Sequence, residues 1–156
     1  MAIEIERKFL LKDDSWKHAA HGRVYRQGYI LGGSGVTVRV RTIGEKGFLT
    51  IKGKSRGAAR AEYEYEIPVQ DAREMLEALC QKPLIEKKRY QVDYAGFTWE
   101  IDVFSGENKG LTVAEIELAD ENQTFAKPDW LGKEVTGDAR YFNASLVKTP
   151  YSAWKR

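Results

Sequence analysis

Ile3-Glu4-Ile5-Glu6-Arg7-Lys8-Phe9 places ionisable side chains at 4, 6 and 8 and apolar ones at 3, 5 and 9. A period of two is the mark of a strand, whose successive side chains point to opposite faces. The same alternation recurs along most of the chain. Strands are expected over roughly residues 2–11, 23–31, 35–43, 46–54, 59–68, 85–94, 97–104 and 111–119. Gly32-Gly33-Ser34-Gly35, Gly44-Glu45-Lys46-Gly47 and Tyr94-Ala95-Gly96 supply turn residues between them. Residues 70–79 break the alternation with helix formers and are followed by Pro83, so a helix is expected there. Shorter helices are expected near 13–18 and 138–147. With no linker, repeat or low-complexity run, 1–156 reads as one mainly β (α+β) domain. About eight strands with tight turns make a small barrel or sandwich.

In each strand the charges share one parity, hence one face. They are Glu4, Glu6 and Lys8; Arg39 and Arg41; Lys52 and Lys54; Arg60, Glu62, Glu64 and Glu66; Lys87 and Arg89; Glu100 and Asp102; Glu115 and Glu117. A charged face can be solvent-facing, with the apolar face packed under a helix or second sheet. Alternatively the sheet closes on itself and the charges line a lumen. The positions are nearly all ionisable, where a solvent face would mix in Ser, Thr, Asn and Gln. Three modest helices also offer little cover for so much apolar strand surface, which favours the lumen. A lumen of this kind requires charges that pair, bind metal or meet a charged ligand. Eight bases and nine acids at these positions suit a polyanion held by the bases and divalent cations held by the acids.

Composition narrows the chemistry. Lys plus Arg number 25 and Asp plus Glu 23, a net charge of +2, without the basic excess of a nucleic-acid binder. Cys80 is the single cysteine and His18 and His21 the only histidines, so a zinc site is poorly supported and a buried structural thiol and surface histidines are expected. Carboxylate clusters favour Mg²⁺, Mn²⁺ or Ca²⁺. Several Lys and Arg converging in one cavity suit the oxygens of a triphosphate, and no P-loop pattern is present to cradle it. Hydrolysis would then need positioning, charge neutralisation and an oriented water. No stretch is apolar enough to span a membrane and no signal region is read, so a cytoplasmic location without membrane or nucleic-acid partners is expected.

At this point the residues resemble the CYTH superfamily, the triphosphate tunnel metalloenzymes, over nearly the whole chain. Glu4-Ile5-Glu6-Arg7-Lys8 is similar to its Glu-x-Glu-x-Lys signature, Arg39-Val40-Arg41 to its Arg-x-Arg strand and Thr50-Ile51-Lys52 to its Thr-x-Lys strand. Arg60-Ala61-Glu62-Tyr63-Glu64, Lys87-Lys88-Arg89, Trp99-Glu100-Ile101-Asp102 and Ala114-Glu115-Ile116-Glu117 follow in the family's order, and Tyr25-Arg26-Gln27-Gly28-Tyr29 and Glu134-Val135-Thr136-Gly137-Asp138 resemble short bacterial members. The resemblance implies a closed eight-stranded antiparallel β-barrel, the triphosphate tunnel, with a few short helices. It implies substrate binding by Lys8, Arg39, Arg41, Lys52, Lys87 and Arg89, and metal binding by Glu4, Glu6, Asp102, Glu115 and Glu117. Glu62 and Glu64 would hold metal or orient water, and with Lys87 they are the candidate catalytic residues. Lys54, Arg60, Glu66 and Glu100 would act there or pair at the rim.

The implied activity is hydrolysis of inorganic triphosphate with Mg²⁺ or Mn²⁺, by a two-metal mechanism, on a small-molecule substrate. A class IV-type adenylate cyclase, an organic triphosphatase and a non-catalytic polyphosphate- or nucleotide-binding module are the alternatives. A lipocalin-like carrier would want an apolar lumen instead. A homodimer is also implied by the resemblance. Trp16, Trp99, Trp130 and Trp154 are expected to pack, Tyr29 and Tyr63 to sit in the core or wall, and Arg140-Tyr141-Phe142-Asn143 to stop one tunnel mouth.

Overall fold

A computed structural model describes residues 3–30 and 35–154. It contains β1 (Ile3–Leu11), β2 (His21–Ile30), β3 (Thr37–Ile43), β4 (Lys46–Lys52), β5 (Ala59–Ile67), α1 (Val69–Ala78), β6 (Ile85–Tyr94), β7 (Phe97–Phe104), β8 (Thr112–Glu117), β9 (Leu131–Glu134) and α2 (Asn143–Lys148). The strands form one antiparallel sheet in the order β5-β4-β3-β2-β6-β7-β8-β1-β9, and a further β5–β1 pairing closes eight of them into a barrel. All eight expected strands form. The region near 13–18 is a 3-10 turn over Ser15–Ala19, and the region near 138–147 divides into a 3-10 turn, Ala139–Tyr141, and α2. The turn expected at residues 32–35 lies, apart from Gly35, outside the described residues.

Strand β9 was not expected. Leu131-Gly132-Lys133-Glu134 is too short to show a period, and it holds its place through the outer edge of β1, with Phe9 opposite Glu134 and Leu11 opposite Leu131. This completes the seam, because β5 pairs only with Ile3, Glu4 and Ile5 of β1. Arg7 clamps the addition by donating from Nε and Nη2 to the two Glu134 carboxylate oxygens at 2.8 and 2.6 Å. Elsewhere the turns follow backbone chemistry: Ala95 and Gly96 both take positive φ, 48° and 84°, as the tight β6–β7 hairpin requires.

The apolar parity faces outward and is covered piecemeal. Trp99, fully buried, lies edge-on to Phe9, Phe125 and Trp130 at 5.7 Å each, so the segment after β8 roofs the β1–β8–β7 wall. Trp16 is buried beside them on Tyr90. Helix α1 presses Ala72, Leu76 and the buried Cys80 region onto Val40 of β3. Tyr63 and Tyr65 on the outside of β5 remain uncovered, 43% and 58% exposed. Tyr63 is therefore wall but not core, whereas Tyr29 is buried. His18 and His21 are exposed. No helix among the described residues is long and apolar enough to cross a membrane.

The segment after α1 gives one stability prediction. A Cβ on Gly28 would lie 2.7 Å from Leu84 Cδ2 and 2.8 Å from Cys80 Cβ. Gly28→Ala is expected to cost about 1–3 kcal/mol through overpacking, read as a lower urea midpoint at unchanged slope; an unchanged midpoint would show that the segment carrying Cys80 and Leu84 simply shifts aside.

Candidate active site

Inward-facing residues of β2, β6, β7 and β8 at one end of the barrel are apolar: Tyr29, Ile85, Phe104 and Val113. Leu146 and Val147 of α2, with Tyr141, pack on them and stop that end. Of the expected stretch 140–143 Tyr141 takes part in this cluster, and the rest of the stopper is Leu146 and Val147 of α2. Above it the lumen is a cavity of about 290 Å³, at the small end for ligand pockets (~300 Å³ and upward). Lys8, Arg39, Arg41, Lys52, Lys87 and Arg89 all line it, as do Glu4, Glu6, Glu62, Glu64, Glu115 and Glu117.

Strand order sorts these charges. The contiguous strands β4-β3-β2-β6 contribute Lys52, Arg39, Arg41, Lys87 and Arg89 to the lining. The other contiguous half, β7-β8-β1-β5, contributes every lining carboxylate. Lys8 of β1 and Arg60 of β5 are the two cations on the acidic half. The lumen thus has a basic wall facing an acidic wall.

The basic wall is held in place without being fully neutralised. Lys87, 2% exposed, donates to Asp102 Oδ2 at 2.7 Å and to Asn143 Oδ1 at 2.9 Å. Burial pushes its ammonium down to about 7, with Asp102 pulling the other way. Arg89 forks onto Asp102, Nε to Oδ1 at 2.7 Å and Nη2 to Oδ2 at 2.9 Å, and also reaches Glu115 at 3.2 Å. Arg39 and Arg41 share a single oxygen, Glu64 Oε1, at 3.4 and 3.2 Å, and the buried Nε of each has no hydrogen-bond partner among the described residues. Burial and the neighbouring Arg39 and Arg89 charges lower Arg41 to about 10. Buried donors without acceptors and cations destabilised by one another suit an anion. Lys52 pairs with Glu4 at 3.0 Å and Glu62 at 3.3 Å, and Lys8 Nζ donates to the Tyr141 carbonyl at 3.1 Å.

The acidic wall lacks enough cations. Burial, then the Glu115 charge, holds Glu6 well above the usual carboxylate range. Glu115 goes the other way. Burial opposes its ionisation, but Lys8, a hydrogen bond from Glu6 and the Arg89 charge hold it well below that range. Burial also raises Glu100 and Glu117, with Glu4, Glu62 and Glu100 adding to the effect on Glu117. An all-oxygen set short of positive charge is the donor chemistry of a hard divalent cation. Among the described residues no three His, Cys, Asp or Glu side chains are yet drawn together tightly enough to hold one.

One expected placement changes, and one lining carboxylate is already engaged by the basic wall. Asp102 is fully buried behind Lys87 and Arg89, with both oxygens engaged, and does not line the cavity. Glu64 is tied to Arg39, Arg41 and the Thr50 hydroxyl, the last at 2.8 Å. Of the four rim candidates, Arg60 and Glu100 line the cavity, while Lys54 and Glu66 are exposed and do not. Sequence reasoning gave no site role to Asn143, Thr136 or Tyr25, which also line it. Tyr25 has the lumen parity of β2, a usable signal; Asn143 arrives from a helix after β9, and no local pattern marks it.

The chain matches the CYTH domain family over residues 2–151. It is 58% identical over 155 residues to an inorganic triphosphatase of Acetivibrio thermocellus, covering 99% of each chain. An inorganic triphosphatase of Nitrosomonas europaea is 38% identical over 150 residues, 92% of this chain and 96% of that one. A crystal structure of an inorganic triphosphatase superposes with a TM-score of 0.67 at 34% identity, covering 92% of this chain and 96% of the other.

Proposed function

The chain belongs to the CYTH domain family, and on that premise we propose that it hydrolyses inorganic triphosphate to pyrophosphate and phosphate with divalent metal ions. The observation that carries this reading is the divided lumen: a basic wall with donors to spare faces an acidic wall with carboxylates in excess. A triphosphate brings the negative charge the first lacks, and metal ions bring the positive charge the second lacks.

Lys8, Arg39, Arg41, Lys52, Lys87 and Arg89 would hold the phosphate oxygens, the guanidiniums by forked contacts. Glu4, Glu6, Glu115 and Glu117 would hold Mg²⁺ or Mn²⁺. The metal, when bound, would neutralise charge developing on the phosphate oxygens and make water more acidic. Glu64 acts by fixing Arg39 and Arg41. That leaves Glu62, whose Oε2 meets Lys52 at 3.3 Å, to orient the attacking water. Water forms a bond to the terminal phosphorus, the bridging P–O bond breaks and pyrophosphate leaves. Lys87, whose ammonium burial pushes down to about 7, is the group placed to take the proton that water gives up.

The test is phosphate release from tripolyphosphate with Mg²⁺ or Mn²⁺ and with EDTA, with ATP alongside. Metal-dependent release that favours tripolyphosphate and stops in EDTA is expected. Cyclic AMP from ATP with no release from tripolyphosphate would replace hydrolysis by cyclisation, and saturable binding without turnover would leave a binding module.

A further inference from the structure

Three lumen cations converge on one aromatic ring that the phosphate and metal assignments leave out. Tyr25 stands on β2, between β3 and β6. Its ring centroid lies 4.9 Å from Arg41 Cζ, 5.0 Å from Arg89 Cζ and 5.9 Å from Lys87 Nζ, all within the range of cation–π attraction. The residue is buried and lines the cavity.

The chemistry of an anion site explains why a ring should stand here. Arg89 is fixed by Asp102 and Glu115. Arg41 is not: its one carboxylate oxygen, on Glu64, is shared with Arg39, and its Nε has no partner among the described residues. A carboxylate at position 25 would tether the cations but would neutralise them and repel phosphate. An aliphatic side chain would leave their mutual repulsion unopposed. An aromatic face attracts the cations, adds no net charge and uses none of their N–H donors, so every donor not already paired stays available to the ligand.

We propose that Tyr25 is a positioning residue whose ring holds Arg41 and Arg89, with Lys87 beside them, at the spacing that receives the phosphate chain. This rests on the triphosphatase reading, and the test separates the two. Tripolyphosphate binding is measured by calorimetry in EDTA, where no metal supports turnover, and steady-state hydrolysis is measured with Mg²⁺, for wild type, Tyr25→Phe and Tyr25→Leu. Tyr25→Phe keeps the ring and is expected to stay within about twofold of wild type in Kd and KM. Tyr25→Leu is expected to weaken both on the order of tenfold, with kcat changing less than KM. A leucine variant that binds like wild type overturns the proposal. So does a phenylalanine variant as weak as the leucine one, which would assign the effect to the hydroxyl. If the leucine variant does not fold, Tyr25→Met fills the space without a π face and is judged the same way. A wild type that binds tripolyphosphate without hydrolysing it removes the triphosphatase reading, while the three Kd values still decide the role of the ring. A wild type that does not bind it ends both.

Discussion

Replacing Asp102 by alanine is expected to destabilise the fold by about 3–5 kcal/mol, the usual cost of removing one partner from a buried charge network. Asp102 is fully buried, and its two oxygens receive Lys87 at 2.7 Å and Arg89 at 2.7 and 2.9 Å. Lys87 can respond by losing its proton, since burial already brings it to about 7. Arg89 cannot, so its guanidinium would keep its charge with only Glu115 and Glu100 near it. The melting temperature should fall by roughly 10 °C, and hydrolysis should fall with it as the basic wall loses its frame. The pH dependence has a defined sign. Burial opposes ionisation of Asp102, but Arg89 and Lys87 hold it below its ordinary value of 3.8. Its contribution is therefore present above about pH 4 and fades as pH falls through the lower folded value. The wild type and Asp102→Ala should converge in stability below pH 4. A variant as stable as wild type at pH 7 would mean that the carboxylate is not the counter-ion of this wall.

Lys8→Met is expected to reduce tripolyphosphate hydrolysis on the order of 10²–10³-fold, the effect of losing one positioned charge at a phosphoryl centre. Lys8 is the buried cation that β1 sends into the acidic half, 8% exposed, tethered to the Tyr141 carbonyl and acting on Glu115. Methionine preserves most of the stem and removes only the ammonium, so circular dichroism and the unfolding midpoint should stay close to wild type while phosphate release collapses. Retention of more than about a tenth of the activity would take Lys8 out of the phosphate-binding set.

Much of this was legible in the chain itself. Glu4, Glu6, Lys8, Arg39, Arg41, Lys52, Lys87, Arg89, Glu115 and Glu117 share the charged parity and all line the lumen, whereas Lys54 and Glu66, of the same parity, are exposed and do not. Parity also put Asp102 there, and in direction it was right. It could not register depth: one step further down the barrel, the same inward parity leads behind two cations instead of into the cavity. β9 and Asn143 escaped for another reason. Four residues containing Gly132 have no period to detect, and Asn143 reaches Lys87 across 56 positions of sequence.

The sequence by itself determined the strands, their turns and which side chains share a face, because a strand's period of two is a property of its own backbone. Only the tertiary structure decided which faces meet. Pairing β2 with both β3 and β6, and β1 with both β8 and β5, gathers the bases on one half of the barrel and the acids on the other. That division depends on hydrogen bonds between segments far apart in the chain, and the same strands closed in another order would have set acid beside base and neutralised the lumen.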